Sequence, residues 1–132
     1  MKQTLYQSFK NKGFNFFVGV PCSGIKDFIE DLEKDPSQIY IPATKEDSAL
    51  GIAVGAYLMG KKPLVFLQSS GLGNIVNGIT SLLKPYGIKI DLLISLRKTP
   101  FEHEYMYKVF YKLLKDLEYQ QNVTIVEEGN SE

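Results

Sequence analysis

Short apolar runs alternate with helical patterns along this chain, and this alternation limits its possible folds more than any other feature. The apolar runs are residues 14–20, 39–43, 63–68, 90–96 and 123–126. Helical patterns occupy the intervals, at 25–32, 46–59, 72–85 and 105–118. Strands and helices in strict alternation with short connections predict βαβ units and a parallel sheet. We therefore expect one α/β domain over residues 1–132, a doubly wound, mostly parallel sheet with helices on both faces.

Composition excludes several functional classes. The chain has 132 residues, 15 basic and 15 acidic, for a net charge of zero, and it has no basic cluster larger than a pair such as Lys61-Lys62. A nucleic-acid partner is therefore not expected. No apolar run approaches the ~20 residues that cross a bilayer, and no leader peptide is recognised, so no membrane association is expected. A single cysteine, Cys22, suits a reducing compartment, and we expect a cytoplasmic protein.

In a doubly wound sheet, ligands bind beyond the carboxyl ends of the strands. Four segments follow strands in this way: residues 21–24, 44–47, 68–74 and 97–103. Ser23 is a predicted N-cap of the helix over 25–32, and Ser69 or Ser70 of the helix over 72–85.

The segment Gly71-Leu72-Gly73-Asn74 opens a helix with two glycines. It resembles the start of a dinucleotide fingerprint, but Val76 stands where the third glycine belongs, and no Walker lysine follows. The glycines could equally serve only to turn the chain. The helix has an apolar stripe, formed by Leu72, Ile75, Val76, Ile79, Leu82 and Leu83. The opposite face carries small and polar residues that are unusual for a solvated helix, which favours a neighbour packed there. These residues are Asn74, Asn77, Gly78 and Ser81.

Glu46 begins the most apolar helix of the chain. An acidic residue in a first turn is favoured by the helix dipole alone, and Asp47 has the same explanation. Small residues follow, which permit close approach of another helix or a flat ligand. They are Ala49, Gly51, Ala53, Gly55 and Ala56. A glutamate at the mouth of such a contact would be partly desolvated and suited to proton exchange.

Two segments together resemble the pyrimidine-binding domain of thiamine-diphosphate-dependent decarboxylases, of the sulfopyruvate and phosphonopyruvate type. They are residues 44–47, followed by Gly51 and Gly55, and residues 68–74. The resemblance implies that Glu46 hydrogen-bonds the aminopyrimidine ring and favours the tautomer that activates the cofactor. It further implies two groups of binding residues. On the cofactor side they are Gln68, Ser70, Gly71, Leu72 and Asn74, and on the substrate side Cys22, Ser23, Arg97 and His103.

The chain also departs from this family. Lys98 follows Arg97 where the family usually has glycine, a buried structural thiol remains an alternative for Cys22, and an exposed loop histidine is an alternative for His103. The Gly-Asp-Gly and paired asparagines of the diphosphate- and magnesium-binding half occur nowhere in the sequence. We therefore expect no metal ligands here. Mg²⁺ and the diphosphate end of thiamine diphosphate would be held mainly by a separate β subunit, in a hetero-oligomer.

The resemblance implies the α subunit of a two-subunit decarboxylase for a small anionic 2-oxo acid such as sulfopyruvate or phosphonopyruvate. Cations for the substrate would be Arg97, Lys98 or Lys45. Two alternatives stay open. One is a non-catalytic pyrimidine-domain paralogue that serves in binding or assembly, and the other is a stand-alone nucleotide- or acyl-binding module.

Overall fold

The computed structural model describes residues 2–127, which contain one parallel five-stranded sheet. The spatial order of the strands is β2-β1-β3-β4-β5. Their bounds are Phe16–Gly19 for β1, Ile39–Pro42 for β2, Pro63–Gln68 for β3, Asp91–Leu96 for β4 and Val123–Glu127 for β5. All four neighbouring pairs are parallel, which confirms the predicted sheet.

Helical segments connect the strands. They are α1 Leu5–Asn11, α2 Lys26–Glu33, α3 Glu46–Leu58, a composite segment over residues 69–86 that we call α4, and α5 Glu104–Asp116. Short 3-10 turns lie at Ser23–Ile25, Phe101–His103 and Gln120–Asn122. None of the helices within residues 2–127 has the length and apolar character that crossing a membrane requires.

The sheet is covered on both faces, as the doubly wound prediction requires. One face carries an aromatic core formed with α1 and α2, in which Phe17, Phe28 and Phe66 are fully buried. The other face carries α3, α4 and α5 on an aliphatic core. Strands buried on both faces are expected to be apolar along their whole length, and β3 shows this from Pro63 to Leu67.

Helix α4 is irregular. It begins as a 3-10 helix over Ser69–Ile75, makes one α-helical turn at Val76–Gly78, continues as a π-helix over Ile79–Leu83 and ends at Lys84–Tyr86. The apolar residues of its predicted stripe are buried or partly buried, and Asn74, Asn77 and Ser81 are exposed. Gly78 is partly buried against α3, where a Cβ atom would lie 2.5 Å from Leu50 Cδ2.

Neither predicted serine cap is formed. Gln68 occupies the N-cap position of α4, and no side chain caps that helix. Ser23 lies inside the 3-10 turn that precedes α2, whose own first turn also lacks a side-chain cap. Both predictions were wrong because a 3-10 turn separates each serine from the regular helix, and the hydroxyls make tertiary contacts instead.

The strand order places the expected ligand site. The direction of winding reverses between β1 and β3, and open α/β sheets bind ligands at such a switch point. The loop after β1, residues 20–22, and the start of α4 flank this crevice at the carboxyl edge of the sheet. Helix α3 begins at the same edge, beyond β2.

Candidate functional site

Glu46 is the first residue of α3, at the carboxyl edge of the sheet. Lys45, which is exposed, is the N-cap in extended conformation, and the helix turns so that Glu46 points inward while Asp47 stays exposed. The Glu46 side chain is one of four polar or charged ones that are buried within residues 2–127, with 9% of its surface exposed. A helix-dipole role alone does not require burial, so the burial of Glu46 distinguishes it from Asp47.

Two residues of α4 contact the Glu46 carboxylate. The Asn74 side-chain amide donates a hydrogen bond from Nδ2 to Oε1 at 2.8 Å. Gly71 lies against the other oxygen, because a Cβ atom at position 71 would be 2.5 Å from Oε2 and 2.6 Å from Cδ. Glycine is therefore required at position 71 for close approach of the glutamate, a reason that the helix pattern alone did not reveal.

Arg97 lies in a second cluster of polar groups, which come from the ends of three strands. Its Nη1 lies 3.4 Å from Ser23 Oγ, after β1, and 3.5 Å from Gln68 Oε1, at the end of β3. Its backbone N–H donates to Ser69 Oγ at 2.9 Å. The arrangement holds a guanidinium, always charged in proteins, at the switch point, where it can bind an anion.

Cys22 and Ser95 lie beneath this cluster. Burial raises the pKa of the Cys22 thiol, whereas the backbone amides of Gly24 and Ile25 and the nearby Arg97 charge oppose that shift. Gly24 packs directly on Ser95, since a Cβ atom there would overlap the Ser95 hydroxyl. A largely protonated, half-buried thiol favours the structural alternative for Cys22 over a nucleophile.

Three further predicted site residues, His103, Ser70 and Leu72, differ in their exposure. His103 is buried, with 7% of its surface exposed, at the N-cap position of α5, so the exposed-loop alternative was wrong. It was wrong because the segment after β4 folds into a 3-10 turn against the domain. Ser70 is exposed. The Leu72 side chain is fully buried in the aliphatic core, so only its backbone can face a ligand.

No binding role was predicted for Ser69, Gly24 or Ser95, although residues 21–24 and 68–74 were among the expected ligand segments. Ser69 was given a role only as a helix cap, yet its fully buried hydroxyl ties the end of β3 to Arg97. The Ser95 hydroxyl is polar within an apolar strand, which was the one signal in the sequence for its place. Within residues 2–127 no group of three or more His, Cys, Asp or Glu side chains is arranged to hold a metal ion.

Comparison with known proteins agrees with this geometry. Residues 1–126 match the family described as thiamine pyrophosphate enzyme, N-terminal TPP binding domain. The chain is similar to the α subunit of sulfopyruvate decarboxylase from Methanocaldococcus jannaschii, with 43% identity over 93 residues, which are 70% of this chain and 55% of that protein. The corresponding subunit from Methanothermobacter thermautotrophicus is 38% identical over 104 residues, 79% of this chain and 62% of that protein.

A phosphonopyruvate decarboxylase from Streptomyces viridochromogenes is 37% identical over 92 residues, which are 70% of this chain and 23% of that protein. The chain thus spans between 55% and 62% of the two α subunits and a smaller part of the longer relative. The family match covers nearly the whole chain, including both clusters at the carboxyl edge. The chain belongs to the family of N-terminal TPP-binding domains of thiamine pyrophosphate enzymes.

Proposed function

We propose that this chain is the α subunit of a thiamine-diphosphate-dependent decarboxylase that acts on sulfopyruvate, phosphonopyruvate or a similar small anionic 2-oxo acid. The products would be the aldehyde and carbon dioxide. The whole of residues 1–132 would form one pyrimidine-binding domain. The similarity to sulfopyruvate and phosphonopyruvate decarboxylases supports the class of substrate.

The observation that carries the proposal is the environment of the Glu46 carboxylate. It is buried, it makes no ion pair within residues 2–127, and its Oε2 has no hydrogen-bond partner there. That oxygen is not among the fully enclosed unpaired polar atoms, so it remains reachable from outside. A buried carboxylate with one open oxygen fits a ring N–H donor such as that of a protonated aminopyrimidine.

The residues of this chain would divide the work as follows. Glu46 accepts a hydrogen bond from the pyrimidine ring, and Gly71 allows the ring to approach the backbone of α4. Gln68, Ser70, Asn74 and the Leu72 backbone would line the same side. Thiamine diphosphate, when bound, supplies the nucleophilic carbon and the electron sink for loss of carbon dioxide.

The Arg97 cluster would bind the anionic substrate. Arg97 lies at the switch point with Ser23 and Gln68, and its planar guanidinium suits a carboxylate, sulfonate or phosphonate group. Cys22 would line this side without serving as a nucleophile. His103 would contribute from the start of α5.

A separate β subunit would supply the diphosphate-binding half and Mg²⁺, in a hetero-oligomer. The exposed faces of α3 and α4 suit such a contact, because Gly51 and Gly55 have open space beyond their Cα atoms and Asn77 and Ser81 lie nearby on α4. We place the assembly in the cytoplasm, without nucleic-acid or membrane partners, since the lone Cys22 suits a reducing compartment.

Reconstitution tests the proposal. The chain is mixed with a sulfopyruvate decarboxylase β subunit, thiamine diphosphate and Mg²⁺, and carbon dioxide release is followed with sulfopyruvate, phosphonopyruvate and pyruvate. We expect release from one of the two anionic substrates, much less from pyruvate, and none from either chain alone. Association without turnover on any of the three would instead identify a non-catalytic assembly subunit.

Three matched variants test the substrate cation. Arg97→Met should raise the KM for the anionic substrate at least about 10-fold, the loss expected of one charged hydrogen bond. Lys98→Met and Lys45→Met remove the other candidate charges and should change KM less than Arg97→Met does. A larger effect of either lysine variant would overturn the role of Arg97.

A further inference from the structure

The two oxygens of the Glu46 carboxylate have different surroundings. Oε1 accepts a hydrogen bond from Asn74 Nδ2 at 2.8 Å, whereas Oε2 lies over Gly71 and has no partner within residues 2–127. Because α3 and α4 are joined here by one side-chain bond, the rotation of the carboxylate is set by Asn74. Without that bond, either oxygen could face the crevice.

The direction of this hydrogen bond is fixed by chemistry. An ionised carboxylate only accepts hydrogen bonds, so the Asn74 amide must donate through its nitrogen. The Asn74 amide satisfies one carboxylate oxygen without adding a positive charge, unlike a lysine in the same place. Oε2 therefore stays available to a ligand.

Asn74 differs from its neighbour Asn77 on the same exposed face of α4. Asn77 accepts a hydrogen bond from Ser81 within its own helix, at 3.1 Å, whereas Asn74 reaches across to α3. Asparagine is a poor helix former, so a long-range contact is a better reason than propensity for its place at residue 74. Asn77 thus offers a matched control.

We propose that Asn74 is a positioning residue that fixes the rotation of the Glu46 carboxylate and turns Oε2 toward the ligand. The identity of that ligand, the pyrimidine ring, rests on the proposed function. The contact itself and its effect on Glu46 do not. Asn74 would act through Glu46, in addition to any place in the lining of the site.

Carbon-13 NMR of side-chain carboxyl groups tests this contact in the isolated chain without cofactor, with the Glu46 signal identified by its absence in Glu46→Gln. Asn74→Ala removes the donor at Oε1, so the Glu46 signal should shift relative to wild type. Asn74→Asp replaces the donor with an acceptor and should shift it as well, whereas Asn77→Ala should leave it unchanged.

An unchanged Glu46 signal in both Asn74 variants would overturn the positioning role, as would an equal shift in Asn77→Ala. Asn74 is exposed, so folding is expected to survive, and a backbone amide spectrum would confirm it. Should Asn74→Asp fail to fold, Asn74→Ala alone decides between a shifted and an unchanged Glu46 signal.

Kinetics of the reconstituted enzyme provide a second readout. Asn74→Ala should lower kcat by roughly 10- to 100-fold, the cost of misplacing a group by about 1 Å, with little change in the KM of the 2-oxo acid. An unchanged kcat with a shifted Glu46 signal would overturn the catalytic part of the proposal. A wild-type turnover in Glu46→Gln would instead refute the proposed function and leave the NMR result standing.

Discussion

The two edges of the sheet differ in how their polar groups are satisfied. At the amino edge, the buried Tyr119 hydroxyl donates to the Ile90 carbonyl and accepts from the Ile90 N–H, and Asn122 bonds Asp91. At the carboxyl edge, Glu46 keeps one oxygen open within residues 2–127. Side chains thus satisfy the backbone groups of the first edge, whereas the open oxygen at the second edge suits the ligand and the partner chain proposed above.

The unpaired polar side chains of His103 and Gln38 limit how far this comparison of the two edges extends. His103 Nδ1 is buried without a partner within residues 2–127, just beyond the carboxyl end of β4. Gln38 Oε1 is also unpaired there, although it lies at the amino edge, before β2. The comparison therefore concerns charged and catalytic groups and does not extend to every polar atom.

The largest loss of stability is expected for Tyr119→Phe. Burial raises the pKa of Tyr119 to about 12, and the change would leave both backbone groups of Ile90 without their partner. The free energy of unfolding should fall by about 1–3 kcal/mol, measured by urea denaturation. Tyr111→Phe, which removes an exposed hydroxyl bonded to Glu127, is the control and should change it by less than about 0.5 kcal/mol. Equal effects would contradict the closed amino edge.

Asp35 should make stability depend on acid pH. Hydrogen bonds from Lys10, then Ser37 and Tyr6, hold the pKa of its carboxyl well below the ordinary value of 3.8. A group whose pKa is lowered on folding stabilises the protein above its unfolded pKa, and this contribution is lost as pH falls below about 4. Urea denaturation from pH 6 to the acid limit should show this loss in wild type and a weaker loss in Asp35→Asn. Asp116→Asn, from the exposed pair with Lys112, should behave as wild type.

The smallest effect is expected at the surface of α3 that the proposed β subunit would contact. Gly51 is exposed inside the helix, and no atom lies within 4 Å of the position that a Cβ atom would take there. Gly51→Ala should therefore stabilise the isolated chain by about 0.5–1 kcal/mol. Its affinity for the β subunit, measured by calorimetry, should fall if the partner approaches this face closely. Unchanged affinity would remove α3 from the proposed contact.

Local patterns predicted the fold well because strands buried on both faces and amphipathic helices each have a characteristic spacing of apolar residues in the sequence. All five strands lie within the predicted runs or within about two residues of them. The serine caps failed because 3-10 turns intervene, and the π-helix of α4 has no simple pattern. The burial of His103 likewise depends on the packing of residues 97–103 against the domain, for which the sequence has no local pattern.

Individual residues of the candidate site were predicted from the sequence, but the contacts between them were not. Glu46 and residues 68–74 were identified from the family resemblance, but the bond from Asn74 to Glu46 and the packing of Gly71 on Oε2 are tertiary contacts across 28 and 25 residues. Neither spacing matches a helical or strand period, so no local pattern could reveal them. The Ser69 bond to Arg97 escaped for the same reason.

The most direct test of the account is the decarboxylation rate of Glu46→Gln beside Asp47→Asn, both reconstituted with the β subunit and saturating cofactor. The two substitutions each remove one carboxylate from adjacent residues, one buried at the open edge and one exposed. We predict that kcat falls at least about 100-fold in Glu46→Gln, the scale of a lost acid–base group, and stays near wild type in Asp47→Asn. Full activity in a folded Glu46→Gln would contradict the claim that this carboxylate activates the cofactor.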